Sequence, residues 1–81
     1  MEGFDSRVLT VISYGDEGEI SRVTVNPHNV NTVIAGESDI AIDGRYLRKT
    51  NVLYMDGDRI EINISLLDLT ALEQAVGTYL V

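Results

Sequence analysis

Arg59-Ile60-Glu61-Ile62-Asn63-Ile64-Ser65-Leu66-Leu67-Asp68-Leu69-Thr70-Ala71-Leu72-Glu73-Gln74-Ala75-Val76-Gly77 is the stretch on which the fold turns. Ile60, Ile62 and Ile64 alternate with Glu61, Asn63 and Ser65, a period of two that gives a strand one apolar and one polar face. Beyond Ser65 the period lengthens. Leu66, Leu69, Leu72 and Val76 recur at three- and four-residue spacing, which predicts an amphipathic helix. Ser65 with Asp68 three residues on resembles a capping box with Asp in place of the usual Glu. Gly77 is expected to end the helix in a left-handed C′ position, leaving Thr78-Tyr79-Leu80-Val81 as an apolar tail.

Upstream of this strand the chain reads as hairpins. Val8–Tyr14 is rich in β-branched and aromatic residues, and Gly15-Asp16-Glu17-Gly18 follows it as a turn. Ile20–Val25 returns with Val23 and Val25 on one face. The lone proline, Pro27, sits in an Asn-Pro turn, after which Val30–Ala35 resumes the strand pattern. Asp43-Gly44 and Asp56-Gly57, each flanked by strand-like residues, are strong hairpin signals. They pair Ile40–Ile42 with Arg45–Leu47 and Val52–Met55 with Arg59–Ile64. The expected architecture is α+β: one domain over residues 1–81, a small antiparallel sheet of hairpins covered by one C-terminal α-helix.

At 81 residues folding hides only roughly 60% of the surface of the unfolded chain, so the core is thin. Without cysteine, disulfides cannot reinforce it, and no Cys/His cluster offers a structural zinc site. Self-association is the remaining support, and the apolar Tyr79, Leu80 and Val81 are expected either at a homo-oligomer interface or folded back onto their own sheet. Met1, Glu2 and Asp5 do not begin a secretory leader, and no apolar run is long enough to span a bilayer. The cytoplasm is therefore the expected compartment.

Thirteen acidic against six basic residues give a net charge of −7, which opposes direct contact with nucleic-acid phosphate or an anionic membrane. The acids are interleaved with apolar positions, as solubility demands, although an acidic surface also suits a mimic of the DNA backbone. Catalytic patterns are sparse. His28 is the one histidine and there is no cysteine to activate, so a nucleophile-base pair has little to draw on. Asp16, Glu17 and Glu19, and Asp56 with Asp58, are oxygen clusters without the spacing of a calcium loop. They read as turn acids. No catalytic residue, metal site or cofactor is expected.

Arg45-Tyr46-Leu47-Arg48-Lys49 stands apart, holding three of the six basic residues in five positions. Arginine forks beside an aromatic ring suit a phosphate with a stacked base, which makes Arg45, Tyr46, Arg48 and Lys49 the candidate site for a small anionic, nucleotide-like ligand. The bland alternative is an edge strand whose cations discourage pairing with other chains.

From Val23 onward, Val-Thr-Val-Asn-Pro-His-Asn-Val, then Asn51-Val-Leu-Tyr-Met-Asp-Gly, Ile60-Glu-Ile-Asn-Ile and a leucine-rich helix follow one another. That layout resembles the small FlbD-type proteins of flagellar operons, which have similar short forms in phages and prophages. The hairpin between Ala35 and Thr50 is an addition to that pattern. The resemblance implies a small bacterial or phage accessory protein without chemistry of its own, and it assigns no functional residue. The functional expectation is a non-enzymatic binding module that regulates or inhibits a host protein by direct contact. The alternative is an oligomeric protein that sequesters an anionic ligand at the basic cluster.

Overall fold

The computed structural model describes the backbone of residues 8–80 and the side chains of residues 8–77. Among these residues six strands and a short 3-10 turn (Pro27–Asn29) precede one α-helix: β1 (Leu9–Tyr14), β2 (Ile20–Val25), β3 (Val30–Ala35), β4 (Ile40–Ile42), β5 (Arg45–Tyr54), β6 (Arg59–Ile64) and α1 (Leu66–Leu80). The α+β architecture, antiparallel hairpins with a C-terminal helix, is the expected one.

Three tight turns set the hairpins, and glycine at positive φ makes each possible. Asp43 and Gly44 both take positive φ, 52° and 78°, so a two-residue turn of the primed type joins Ile42 to Arg45 and matches the twist of the strands. The other two hairpins share a different device. The Gly18 N–H donates to the Gly15 carbonyl and the Gly57 N–H to the Tyr54 carbonyl, at 2.9 and 3.0 Å, and Gly18 and Gly57 then take the left-handed conformation. This is the three-residue loop that closes on a bulge.

Strand β5 is the organising element. The sequence suggests two short strands, Arg45–Leu47 and Val52–Met55, separated by the polar run Arg48-Lys49-Thr50-Asn51. Instead a single ten-residue strand runs through all of them. It pairs with β6 from Arg48 to Leu53, with β3 from Thr50 to Tyr54, and with β4 from Arg45 to Leu47. β3 and β4 follow each other along one flank while β6 takes the other. The polar run is held from both sides. Thr50 is fully buried and its hydroxyl donates to the Arg48 carbonyl at 3.2 Å, which satisfies a group that would otherwise be costly to bury.

β1 and β2 form their own antiparallel ribbon, from Leu9 opposite Val25 to Tyr14 opposite Ile20. It lies beside β6, and Asn63 Nδ2 donates to the Tyr14 carbonyl at 2.8 Å. The face of β6 expected to be polar and solvated is thus partly covered, leaving Asn63 Oδ1 buried without a partner. Val11, Val25, Val30, Val52, Ile62 and Ile64 meet Leu69, Leu72 and Val76 of α1 in the core. The isoleucine ladder and most of the helical stripe therefore point inward as the spacing requires. Leu66, at the first turn, does not: it is 48% exposed, and Leu67 beside it 80%.

The helix begins as expected, with the Asp68 N–H donating to Ser65 Oγ at 3.1 Å. The return half of the capping box is missing. Asp68 Oδ2 instead accepts the Ile12 N–H at 3.0 Å, so the carboxylate ties the first ribbon to the helix. At the other end, the helix does not stop at Gly77. It continues to Leu80, and among the described glycines only Gly18, Gly44 and Gly57 have positive φ. A helical glycine costs about 1 kcal/mol against alanine, less than the hydrogen bonds that continuing the helix retains. A methyl group on Gly77 would meet nothing within 4 Å outside its own turn. Gly77→Ala should accordingly raise stability by about 0.5–1 kcal/mol, read as a higher urea midpoint. Tyr79, Leu80 and Val81, the residues expected at an oligomer interface, have side chains outside the described residues.

Candidate functional site

Among the described residues, the flank of β5 occupied by β3 leaves the outer edge of β3 without a neighbouring strand. Its sequence, Val-Asn-Thr-Val-Ile-Ala, contains no charge and no proline. Edges of natural sheets are commonly blunted by charge, proline, a bulge or a covering element, because their unpaired backbone groups are templates for another chain. Only the first part of β3 has such a device, a register shift between Val30 and Thr32. Past it, Thr32–Ala35 pairs regularly.

Hydrogen-bond parity decides which groups face outward. The Gly36 N–H donates to the Lys49 carbonyl at 2.8 Å, and hydrogen-bonded pairs alternate along an antiparallel ladder. Ile34 and Gly36 consequently bond toward β5, while Val33 and Ala35 turn their N–H and C=O groups to the open edge. Their side chains follow the other alternation. Val33 and Ala35 lie opposite Val52 and Thr50 and pack against the core, whereas Ile34 points to the opposite face and is 56% exposed.

A shallow groove of about 180 Å³ runs beside this edge, lined by Thr32 and Val33 of β3 and by Glu73, Val76 and Gly77 of α1. Gly77 keeps it open by having no side chain. A strand laid along β3 would place alternate side chains in the groove and over Ile34.

The basic cluster is arranged differently from a converging anion site. Arg48 Nε lies 2.6 Å from Asp39 Oδ1, and its Nη1 donates to the Gly36 carbonyl at 3.1 Å. Arg48 therefore braces the β3–β4 connection. The Arg45 guanidinium sits 5.2 Å from the centre of the Tyr14 ring, a cation–π distance. Tyr46 and Lys49 are exposed and Leu47 between them is buried. By strand alternation Tyr46 and Arg48 share one face, and Arg45 and Lys49 the other. The strand is flanked on both sides at Arg48 and Lys49 but pairs with β4 alone at Arg45–Leu47, and within it Arg48 acts as a brace and Arg45 makes a stacking contact.

One carboxylate of each acidic cluster, and Asn26 in the Asn-Pro turn, accepts a local backbone N–H. Glu19 Oε1 accepts the Glu17 N–H, Asp56 Oδ1 accepts the Asp58 N–H, and Asn26 Oδ1 accepts the His28 N–H, each at 3.0 Å. Asp56 also lies beside Tyr54, where burial first and that carboxylate second push the phenol above its ordinary pKa of 10.0. Among the described residues, no three His, Asp or Glu side chains gather where they could hold a metal ion, and no helix is long and apolar enough to cross a membrane.

No family model, curated protein or solved structure matches the chain. The geometry of the β3 edge and its groove is what a functional reading can be built on. Sequence reasoning found β3 as a strand but did not single out its edge. The one signal available was the run of six uncharged residues from Val30 to Ala35, which on its own reads equally well as an interior strand.

Proposed function

We propose that this chain is a non-enzymatic binding module, a phage- or prophage-type accessory protein that regulates or inhibits a host protein by direct contact. The observation that carries the reading is the uncharged edge of β3, which no described strand covers, beside the groove under α1. Main-chain groups of Val33 and Ala35 would supply affinity to an added strand, and the groove would supply selectivity through alternate side chains. The accessory role and the origin come from the FlbD-type resemblance. A net charge of −7 favours a basic partner surface and speeds encounter with it.

The anion-sequestering alternative draws less support, since Arg48 is already engaged by Asp39 and the Gly36 carbonyl. Affinity capture from bacterial lysate, comparing the natural chain with Ile34→Lys, tests the binding reading. A protein retained by the first and lost with the second is the expected result. Equal retention by both would remove the β3 edge from the mechanism, and magnesium-dependent hydrolysis of any substrate would overturn the non-enzyme reading.

A further inference from the structure

We infer that in the isolated protein the occupant of the β3 edge is a second copy of the chain, paired β3 to β3 about a two-fold axis through Ile34. The inference rests on the same edge as the proposed function and names a partner for it. A strand pairs with its own copy in a closed dimer only in the antiparallel sense, with each residue facing the one that completes a fixed sum of positions. For β3, a centre on a residue rather than between two keeps both alternations in step, and the two ends of the regular strand decide which residue.

Placing the axis at Ile34 sets Val33 of one copy opposite Ala35 of the other, and the reverse. These are the residues whose N–H and C=O groups point outward, so each pair exchanges two bonds and the edge gains about four. Ile34 then faces its own copy as the intervening non-hydrogen-bonded pair. In such pairs side chains come closest, and Ile34 is the exposed apolar side chain of this strand. A centre at Val33 instead would demand regular pairing through Asn31, inside the register shift between Val30 and Thr32. A centre at Ala35 would pair Val33 with Glu37, beyond the end of the strand, so the shift at one end and the strand's end at the other select the Ile34 register. Thr32 would face Gly36 of the second copy, where no side chain crowds it.

The electrostatics permit this pairing and give it a signature. No charge lies on Val30–Ala35 itself, but Glu73 lines the groove beside it and each copy brings −7 overall. That repulsion is long-range and is screened beyond about 8 Å at physiological ionic strength. The dimer should therefore tighten as salt rises, opposite to an interface held by ion pairs.

The test uses the full chain in sedimentation velocity across a concentration series at low and physiological salt, with amide hydrogen exchange on the same samples. The expected result is a monomer–dimer equilibrium that shifts toward dimer with salt, with Val33 and Ala35 gaining protection as concentration rises. Ile34→Lys, at an exposed position that leaves the fold intact by circular dichroism, should raise the dimer dissociation constant about tenfold or more by opposing like charges across the axis. A chain that stays monomeric throughout, a dimer indifferent to Ile34→Lys, or protection that appears on β2 or the end of α1 instead would each overturn the inference. Lysate capture that depends on Ile34 in a strictly monomeric protein would sink the dimer while leaving the binding module standing; a dimer with no captured protein would do the reverse.

Discussion

Leu72→Ala is expected to lower the unfolding free energy by about 3–5 kcal/mol, a large part of what a domain of this size has to lose. Leu72 is fully buried, and lies midway along the helical stripe between Leu69 and Val76. One layer of helix covers one layer of sheet, so nothing behind Leu72 can move in to fill the space. The removed methyl groups leave a cavity as well as a transfer loss. Urea unfolding followed by circular dichroism should show a reduced midpoint with an unchanged slope. A negligible shift would mean that the helix does not seat on the sheet through this face. The equivalent change at Ile62, near the centre of the isoleucine ladder, should cost about 2–5 kcal/mol for the same reason, and a null result there would put the register of β6 out by one residue.

Asp68→Ala should cost about 1.5–3 kcal/mol, through the contact between the first ribbon and the helix rather than through helix capping. The cap uses the Asp68 backbone N–H, which alanine keeps, whereas the carboxylate accepts the Ile12 N–H. Removing it leaves a partly buried donor unmet in β1. Asp68→Asn retains an acceptor at that position and should recover most of the loss, while Ser65→Ala, which removes the cap itself, should cost about 1 kcal/mol. Hydrogen exchange distinguishes the two sites. Asp68→Ala should loosen the amides of Leu9–Tyr14 selectively, and equal loosening of α1 and β1 would show that the carboxylate does no more than stabilise the helix.

The features legible in the sequence are those whose cause is local. Asp43-Gly44 must turn because two consecutive residues need positive φ; Ile60, Ile62 and Ile64 must share a face because strand side chains alternate; Ser65 caps because its hydroxyl reaches three residues along. Where the cause lies across the chain, the sequence reads differently from the structure. Arg48 to Asn51 resembles a break between strands, yet Asp39, Gly36 and the flanking ladders satisfy those polar groups and hold them in β5. Gly77 offers a left-handed cap and an interior helical position alike, and the choice depends on what lies beyond and beneath it. The candidate site was the least legible. Whether Val30–Ala35 lies at an edge is a property of the whole sheet's order, and the basic cluster that drew notice locally is divided between an ion pair and an aromatic ring.

Because β5 is flanked by both β3 and β6 from Thr50 to Leu53, its backbone amides there alternate between two ladders, and opening one of them leaves every second amide still bonded. These amides should be among the slowest to exchange, while β2 and the outer side of β3 open at lower cost. A gradient of this kind lets the rim of the sheet reorganise around an incoming chain without the centre losing register. Under the proposed binding role, substitutions at Thr32 and Ile34 on the rim, and at Glu73 of α1 beside it, would change what is recognised with little consequence for whether the domain folds.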